Sequence, residues 1–211
     1  MDCLEQNPVS SVILAGGYGR RMGGEKLFLE VNSVPLVTKV IKRVLSFSGE
    51  IILSVAPRQA GYIDSILSGI ISPYGIRIVE DEPGSDGPLA GMYSGLMQSS
   101  FDWSFICACD MPSVSDAVVR TLWRSGTPGT SVIVPKIGGY WEPLHAFYHK
   151  SCLPAMRKAL EKGERKITSF FSDVTLSEAD EQIFAHLPGF RRSFGNLNSR
   201  KDLSENSHLF E

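Results

Sequence analysis

The stretch VILAGGYGRRMGGEK, residues 12–26, decides how the rest of the chain is read. Its apolar run, Val12 to Ala15, halts at Gly16 and Gly17, as a buried parallel strand does before a loop. From Ile13 to Lys26 the segment carries five glycines, two arginines and a lysine. Glycines lack a Cβ, so the backbone can turn tightly and bring its N–H groups close to a bound group. Successive N–H groups make an anion nest, which Arg20, Arg21 and Lys26 reinforce. The implied ligand is a polyphosphate.

Other readings of the loop explain less. A tight glycine turn flanked by solvated arginines accounts for the glycines but not for the clustered cations. Gly17, Gly19 and Gly23 spell GxGxxxG, but a dinucleotide site needs a helix opening at the loop and an acid closing the second strand. Residues 20–35 are a poor helix start, and the second strand closes on Ser54, Val55, Ala56 and Pro57. A Walker loop also fails, because no Gly-Lys-Ser/Thr ends the segment.

Outward from this loop, apolar strands alternate with helices. After Pro35, Val37, Val40, Ile41, Val44 and Leu45 recur at helical spacing, with Lys39, Lys42 and Arg43 opposite. Strands are expected at residues 51–56, 76–80, 103–109 and 131–135, and helices at 62–70, from about Gly91, and at 114–124. Strands separated by helices pair in parallel through crossovers. The expected fold is a three-layer α/β/α sandwich with a mostly parallel, Rossmann-like sheet, formed by residues 1–211 as one domain. The last third is less regular. Residues 140–148 read as extended, with Pro143 suiting an edge or bulge, and residues 153–163 as a helix with Gly163 at its C′ position. NSRKDL suggests a short closing helix capped by Ser199.

Composition excludes several function classes. The 211 residues are 43% apolar and carry a net charge of −2, enough for a sizeable core but not for a surface that binds nucleic acid generally. Cys3, Cys107, Cys109 and Cys152 form no CxxC pair and read as reduced thiols. The N-terminus has no apolar signal region, and no apolar run reaches the roughly 18–20 residues of a membrane helix. A cytoplasmic protein with no membrane partner is expected.

Individual polar residues are ambiguous when read singly. FICACDMP runs a strand into Asp110, placing a carboxylate on the rim of the sheet where open α/β folds bind ligands; an Asp capping the turn before Pro112 is the plainer alternative. Asp81 ends the third strand, and the Asp86–Gly91 segment is turn chemistry leading into a helix. Arg165 and Lys166 fit a solvated helix end, and Asn196 and Asn198 fit turn positions. His145 and His149 are four apart, but Pro143 and the strand-like alternation around them disfavour a zinc site, so they read as packing or surface residues.

Taken together, ILAGGYGRRMGGEK, VEDEPGSDGPLAGM, CACDMP, EPLHAFY, KGERK and FGNLN follow one order along nearly the whole chain. In that order they resemble the molybdenum cofactor guanylyltransferase (MobA) family of nucleotidyltransferases. The resemblance implies transfer of GMP from GTP to the terminal phosphate of molybdopterin, with Mg²⁺ on Asp110 and with Lys26 and Arg21 on the phosphates. It implies nucleotide contacts at Leu14, Ala15, Gly16, Gly17, Lys26, Asp81, Gly91 and Asp110, and pterin contacts at Arg165, Asn196 and Asn198. Molybdoenzymes or cofactor-supplying proteins are the implied partners.

Departures and alternatives stay open here. Some members have a nucleotide-contacting asparagine where this chain has Ser54, and an apolar residue is more usual at Ser113. Cytidylyl relatives read LAAG at the first motif and this chain reads LAGG, so the missing Cβ at Gly16 is expected to leave room for a purine. A cytidylyl or sugar-phosphate transferase of the same fold, and a non-catalytic carrier of the finished cofactor, are the competing functions.

Overall fold

A computed structural model describes Leu4 and residues 8–16, 30–31, 34–57, 59–81 and 87–197. Eight strands form one sheet. In chain order the elements are β1 (Val9–Leu14), a small ribbon of β2 (Glu30–Val31) and β3 (Val34–Pro35), α1 (Leu36–Val44), β4 (Ser48–Val55), α2 (Ala60–Tyr74) and β5 (Arg77–Glu80). Then come α3 (Pro88–Gln98), β6 (Trp103–Ala108), α4 (Asp116–Arg124), β7 (Val132–Ile137), β8 (Tyr140–Trp141), β9 (His145–His149), α5 (Leu153–Glu161) and β10 (Leu176–Asp180). The sheet order is β10-β7-β9-β6-β1-β4-β5, with β8 pairing β7. β6, β1, β4 and β5 are mutually parallel, and β9 runs antiparallel to both neighbours.

Strand alternation divides the core in two. Ile13, Leu53, Phe105 and Cys107 face one side, where they pack with Val40 and Ile41 of α1, Ile63 and Leu67 of α2, and Val118 and Leu122 of α4. Val12, Ile52 and Ile106 face the other, against Leu89, Met92 and Leu96 of α3 and Met156 of α5. Successive residues of a strand point to opposite faces, so an uninterrupted apolar run is what a sheet covered on both sides demands. The three-layer, mostly parallel architecture read from the sequence is the one observed.

Some boundaries differ. β1 begins at Val9, upstream of the apolar run, because Ser10 and Ser11 are buried as strand residues. The Ser10 hydroxyl donates to Glu50 at 2.5 Å, and the Ser11 and Ser48 hydroxyls share a 2.6 Å hydrogen bond, which removes the cost of hiding them. α3 starts at Pro88, at its first turn, and not at Gly91. β10, with alternating burial in LSEAD, adds a parallel edge strand to β7 that the sequence reading did not include. α5 ends as expected, with Gly163 at φ +78° after the Lys162 cap. The NSRKDL helix lies outside the described residues. Among the described residues, no helix is long and apolar enough to cross a membrane.

Candidate active site

Four parallel strands deliver their C-terminal ends to one edge. Leu14 is in register with Ser54 on β4 and with Ala108 on β6, while Val55 faces Glu80 on β5. The ladder continues past the strands: the amide of Ala15 donates to Ser54 O at 2.7 Å, that of Cys109 to Leu14 O at 3.1 Å, and that of Asp81 to Val55 O at 2.9 Å. Gly16, Asp81 and Asp110 therefore leave the sheet side by side, at the edge where open α/β folds bind ligands.

On one flank of this edge, Ser54, Asp81, Gly16 and Gly91 gather closely. The Ser54 hydroxyl donates to Asp81 Oδ1 at 2.6 Å. A Cβ on Gly16 would lie 2.8 Å from Asp81 Oδ2 and 3.0 Å from the Ala56 amide nitrogen. A Cβ on Gly91, in the first turns of α3, would lie 2.7 Å from Ser54 Oγ. Both glycines are thus required by close approach. The expectation that Gly16 leaves space for a purine is corrected accordingly: the space beside it is filled by the Asp81 carboxylate. That carboxyl is only 7% exposed, and burial pushes its pKa up to about 6, partly offset by the Ser54 hydrogen bond.

The other flank is built around Asp110. It stands at the end of β6 as expected, but it is 7% exposed, where a rim position was expected. A segment distant in sequence meets it: Leu197 donates its amide to Asp110 O at 2.9 Å, which brings Asn196 to the same place. Upstream, Ser193 Oγ accepts from the Ser115 amide at 2.9 Å, and Phe194 stacks edge-on against His145 at 4.6 Å. Arg165 meets the start of α3, with its carbonyl accepting from the Leu89 amide at 3.4 Å and its Cβ against Gly87. The structure thus brings Leu14, Ala15, Gly16, Asp81, Gly91, Asp110, Arg165 and Asn196 to one end of the sheet. Gly17, Arg21, Lys26 and Asn198 lie outside the described residues.

Glu142 was passed over in the motif EPLHAFY. His145 on β9 pairs with Cys107 on β6, so Glu142–Leu144 precede β9 at the end where β6 yields Asp110. Trp141 and His145, four residues apart, would face the same way in a regular strand. Instead Trp141 packs on Phe171 of one core and His145 on Phe105 of the other. The intervening residues are a turn that contains Pro143 and is closed by the His145 amide donating to Glu142 O at 3.1 Å, and burial raises the Glu142 carboxyl pKa. The signal available in the sequence was Pro143 inside an alternating run.

His145 is fully buried, and burial holds its imidazole down to about 3, with the nearest hydroxyl, Ser193 Oγ, 3.4 Å from Nε2. His149 stacks on Trp103 at 5.1 Å. Both sit in packed surroundings.

Residues 11–179 match the family described as the MobA-like NTP transferase domain. The chain is 30% identical over 207 residues to a molybdenum cofactor guanylyltransferase of Vibrio parahaemolyticus, covering 98% of each chain. It is 35% identical over 162 residues to one of Pseudomonas putida, covering 76% of this chain and 80% of that one. In three dimensions it resembles molybdopterin-guanine dinucleotide biosynthesis protein A of Archaeoglobus fulgidus, with a TM-score of 0.80 and 25% identity over 95% of this chain and 98% of that one. The glycine-rich motif that follows β1 in the sequence, the acid closing β6 and these matches agree, and the chain belongs to the MobA-like NTP transferase family of nucleotidyltransferases.

Proposed function

We propose that this enzyme transfers GMP from GTP to the terminal phosphate of molybdopterin, forming the guanine dinucleotide and releasing pyrophosphate. The observation that carries the reading is the convergence of Gly16, Asp81, Gly91 and Asp110 on one sheet edge, flanked by Arg165 and Asn196. The names of the relatives, guanylyltransferases of the molybdenum cofactor, support the choice of guanine and of this cofactor as acceptor.

The acceptor phosphate oxygen bonds to the α-phosphorus of GTP while the bond to the β-phosphate oxygen breaks in line. The attacking oxygen is already anionic, so no side chain needs to take its proton. Neutral His145, buried in aromatic packing, has no part in the chemistry. The protein's task is to align two anions and screen their repulsion. Asp81 and the two glycines hold the nucleoside, Lys26 and Arg21 hold the phosphates, and Arg165, Asn196 and Asn198 hold the pterin.

A magnesium ion suits the donor set. Among the described residues no group of three His, Cys, Asp or Glu side chains could chelate an ion, so Asp110 would share it with phosphate and water oxygens. Cys107 is fully buried, and burial together with its neighbours Cys109 and Asp110 pushes its thiol pKa up, while the Asp110 carboxylate is the hard oxygen donor that magnesium prefers. Bound there, Mg²⁺ would neutralise charge on the triphosphate.

The test is pyrophosphate release on mixing the protein with GTP, MgCl₂ and molybdopterin, with CTP in a parallel reaction. Release with GTP and formation of the dinucleotide are expected. Release with CTP alone assigns the cytidylyl reaction, and no release with either nucleotide leaves the carrier reading.

A further inference from the structure

We infer that Ser54 is a positioning residue of the nucleoside site: its hydroxyl fixes the Asp81 carboxylate in the orientation that accepts an N–H or O–H donor of the bound nucleoside. The inference rests on the proposed GTP reading and adds to it a residue that makes no contact of its own with the nucleotide.

The plain alternative is a structural bridge between β4 and β5. Those strands already have what they need, because Val55 O takes the Asp81 amide and the parallel ladder runs from Ile52 to Val55. The opposite end of the sheet shows what a structural carboxylate looks like in this protein. Glu50 there accepts from the Ser10 hydroxyl, from the Ser100 amide and hydroxyl, and from Arg77. Burial works against its charge, but these donors prevail and lower its pKa.

Asp81 is the reverse case. Among the described residues Ser54 is the donor to its side chain, and no charged group contributes to its raised pKa. A carboxylate offers about four acceptor sites, so among the described residues most of its capacity is left open on the ligand edge of the sheet. Burying an ionised acid with so little compensation is costly, and such costs are retained where function uses them.

The packing leaves little freedom to either group. Ser54 is 1% exposed, and its oxygen occupies the space a Cβ on Gly91 would take; Asp81 Oδ2 occupies the space a Cβ on Gly16 would take. The single proton of the Ser54 hydroxyl is engaged by Asp81, so the serine is not a donor to the nucleotide.

The experiment compares wild type, S54A, S54C and D81N by calorimetric GTP titration with MgCl₂ between pH 5.5 and 8, and by the KM values for GTP and acceptor. S54C keeps the volume with a weak donor, so it carries the test if S54A does not fold. D81N is expected to weaken GTP roughly 10- to 100-fold, the range for a hydrogen bond to a charged group. S54A and S54C are expected to raise the GTP KM about 5- to 10-fold, a net hydrogen bond's share, while leaving the acceptor KM unchanged. They should also move the low-pH loss of GTP affinity to higher pH, because the Ser54 bond is what lowers the Asp81 pKa. If D81N is impaired while both Ser54 variants bind GTP as wild type does across pH, the positioning role is refuted and the nucleoside site stands. If D81N itself binds GTP normally, Asp81 is no nucleoside contact and the inference falls with it.

Discussion

The amide of Leu197 donates to the carbonyl of Asp110 across a 2.9 Å hydrogen bond. This bond joins residues 87 positions apart and fixes Asn196 at the acid that ends β6. The segment read as pterin-binding is thereby placed beside the proposed phosphate chemistry. Replacing Leu197 by proline removes the donor and, since Leu197 is buried, loosens the segment as well. The expected result is a several-fold higher KM for molybdopterin with GTP affinity within about twofold of wild type, as a net hydrogen bond is worth roughly 0.5–1.5 kcal/mol. Steady-state kinetics with each substrate varied in turn checks it, and an equal loss in both would place the segment on the nucleotide side.

Asp110→Asn preserves shape and removes the charge. If Asp110 holds the divalent ion, pyrophosphate release should fall by about 10²–10³, the usual cost of one preorganised electrostatic contact. Far-ultraviolet circular dichroism should be unchanged, since the asparagine fills the same buried volume. A variant turning over at the wild-type rate would remove Asp110 from the reaction.

Much of this site was legible in the sequence, because a parallel strand announces both its end and its ligand edge. Val12–Ala15 and the strand before Asp110 are apolar runs closed by glycine or acid, and each lies on a strand of the sheet to within a few residues of its expected bounds. Pairing across the sheet was not legible. Ser54 looked like a departure from a motif until the parallel register placed it beside Val79, two residues from Asp81. Ser10 and Ser11 extend β1 upstream of its apolar run, and hydroxyls satisfied by partners about 40 residues away leave no local trace. Glu142 escaped for a related reason: its place depends on how β9 pairs with β6, across the intervening α4 and β7.

The two ends of the sheet should respond oppositely to pH. Burial raises the Asp81 pKa from the ordinary 3.8 of an aspartate to about 6, so its contribution to stability is full below about pH 4 and is lost as pH rises through 6. The shift corresponds to on the order of 3 kcal/mol at most. Glu50, with its pKa lowered, contributes above its unfolded value and loses that contribution as pH falls. Urea unfolding should therefore find Asp81→Asn more stable than wild type at pH 8 and equal to it near pH 4. Glu50→Gln should be less stable than wild type at pH 8, with the gap closing in acid. Asp81→Asn destabilised at pH 8 would contradict the buried, under-compensated charge.

Gly16→Ala tests whether the first motif acts through Asp81. The added Cβ meets Asp81 Oδ2 at 2.8 Å and the Ala56 nitrogen at 3.0 Å, and the backbone neighbour cannot yield as a side chain does. The carboxylate must therefore turn away, straining or breaking its bond to Ser54. GTP affinity should fall about as far as in Ser54→Ala, because both changes release the same carboxylate. The double variant should then lose much less than the two single losses combined, a non-additivity expected of residues sharing one partner. Calorimetric titration of the four proteins closes the cycle. Full additivity would mean that the glycine and the serine act on the nucleotide separately and not through one carboxylate.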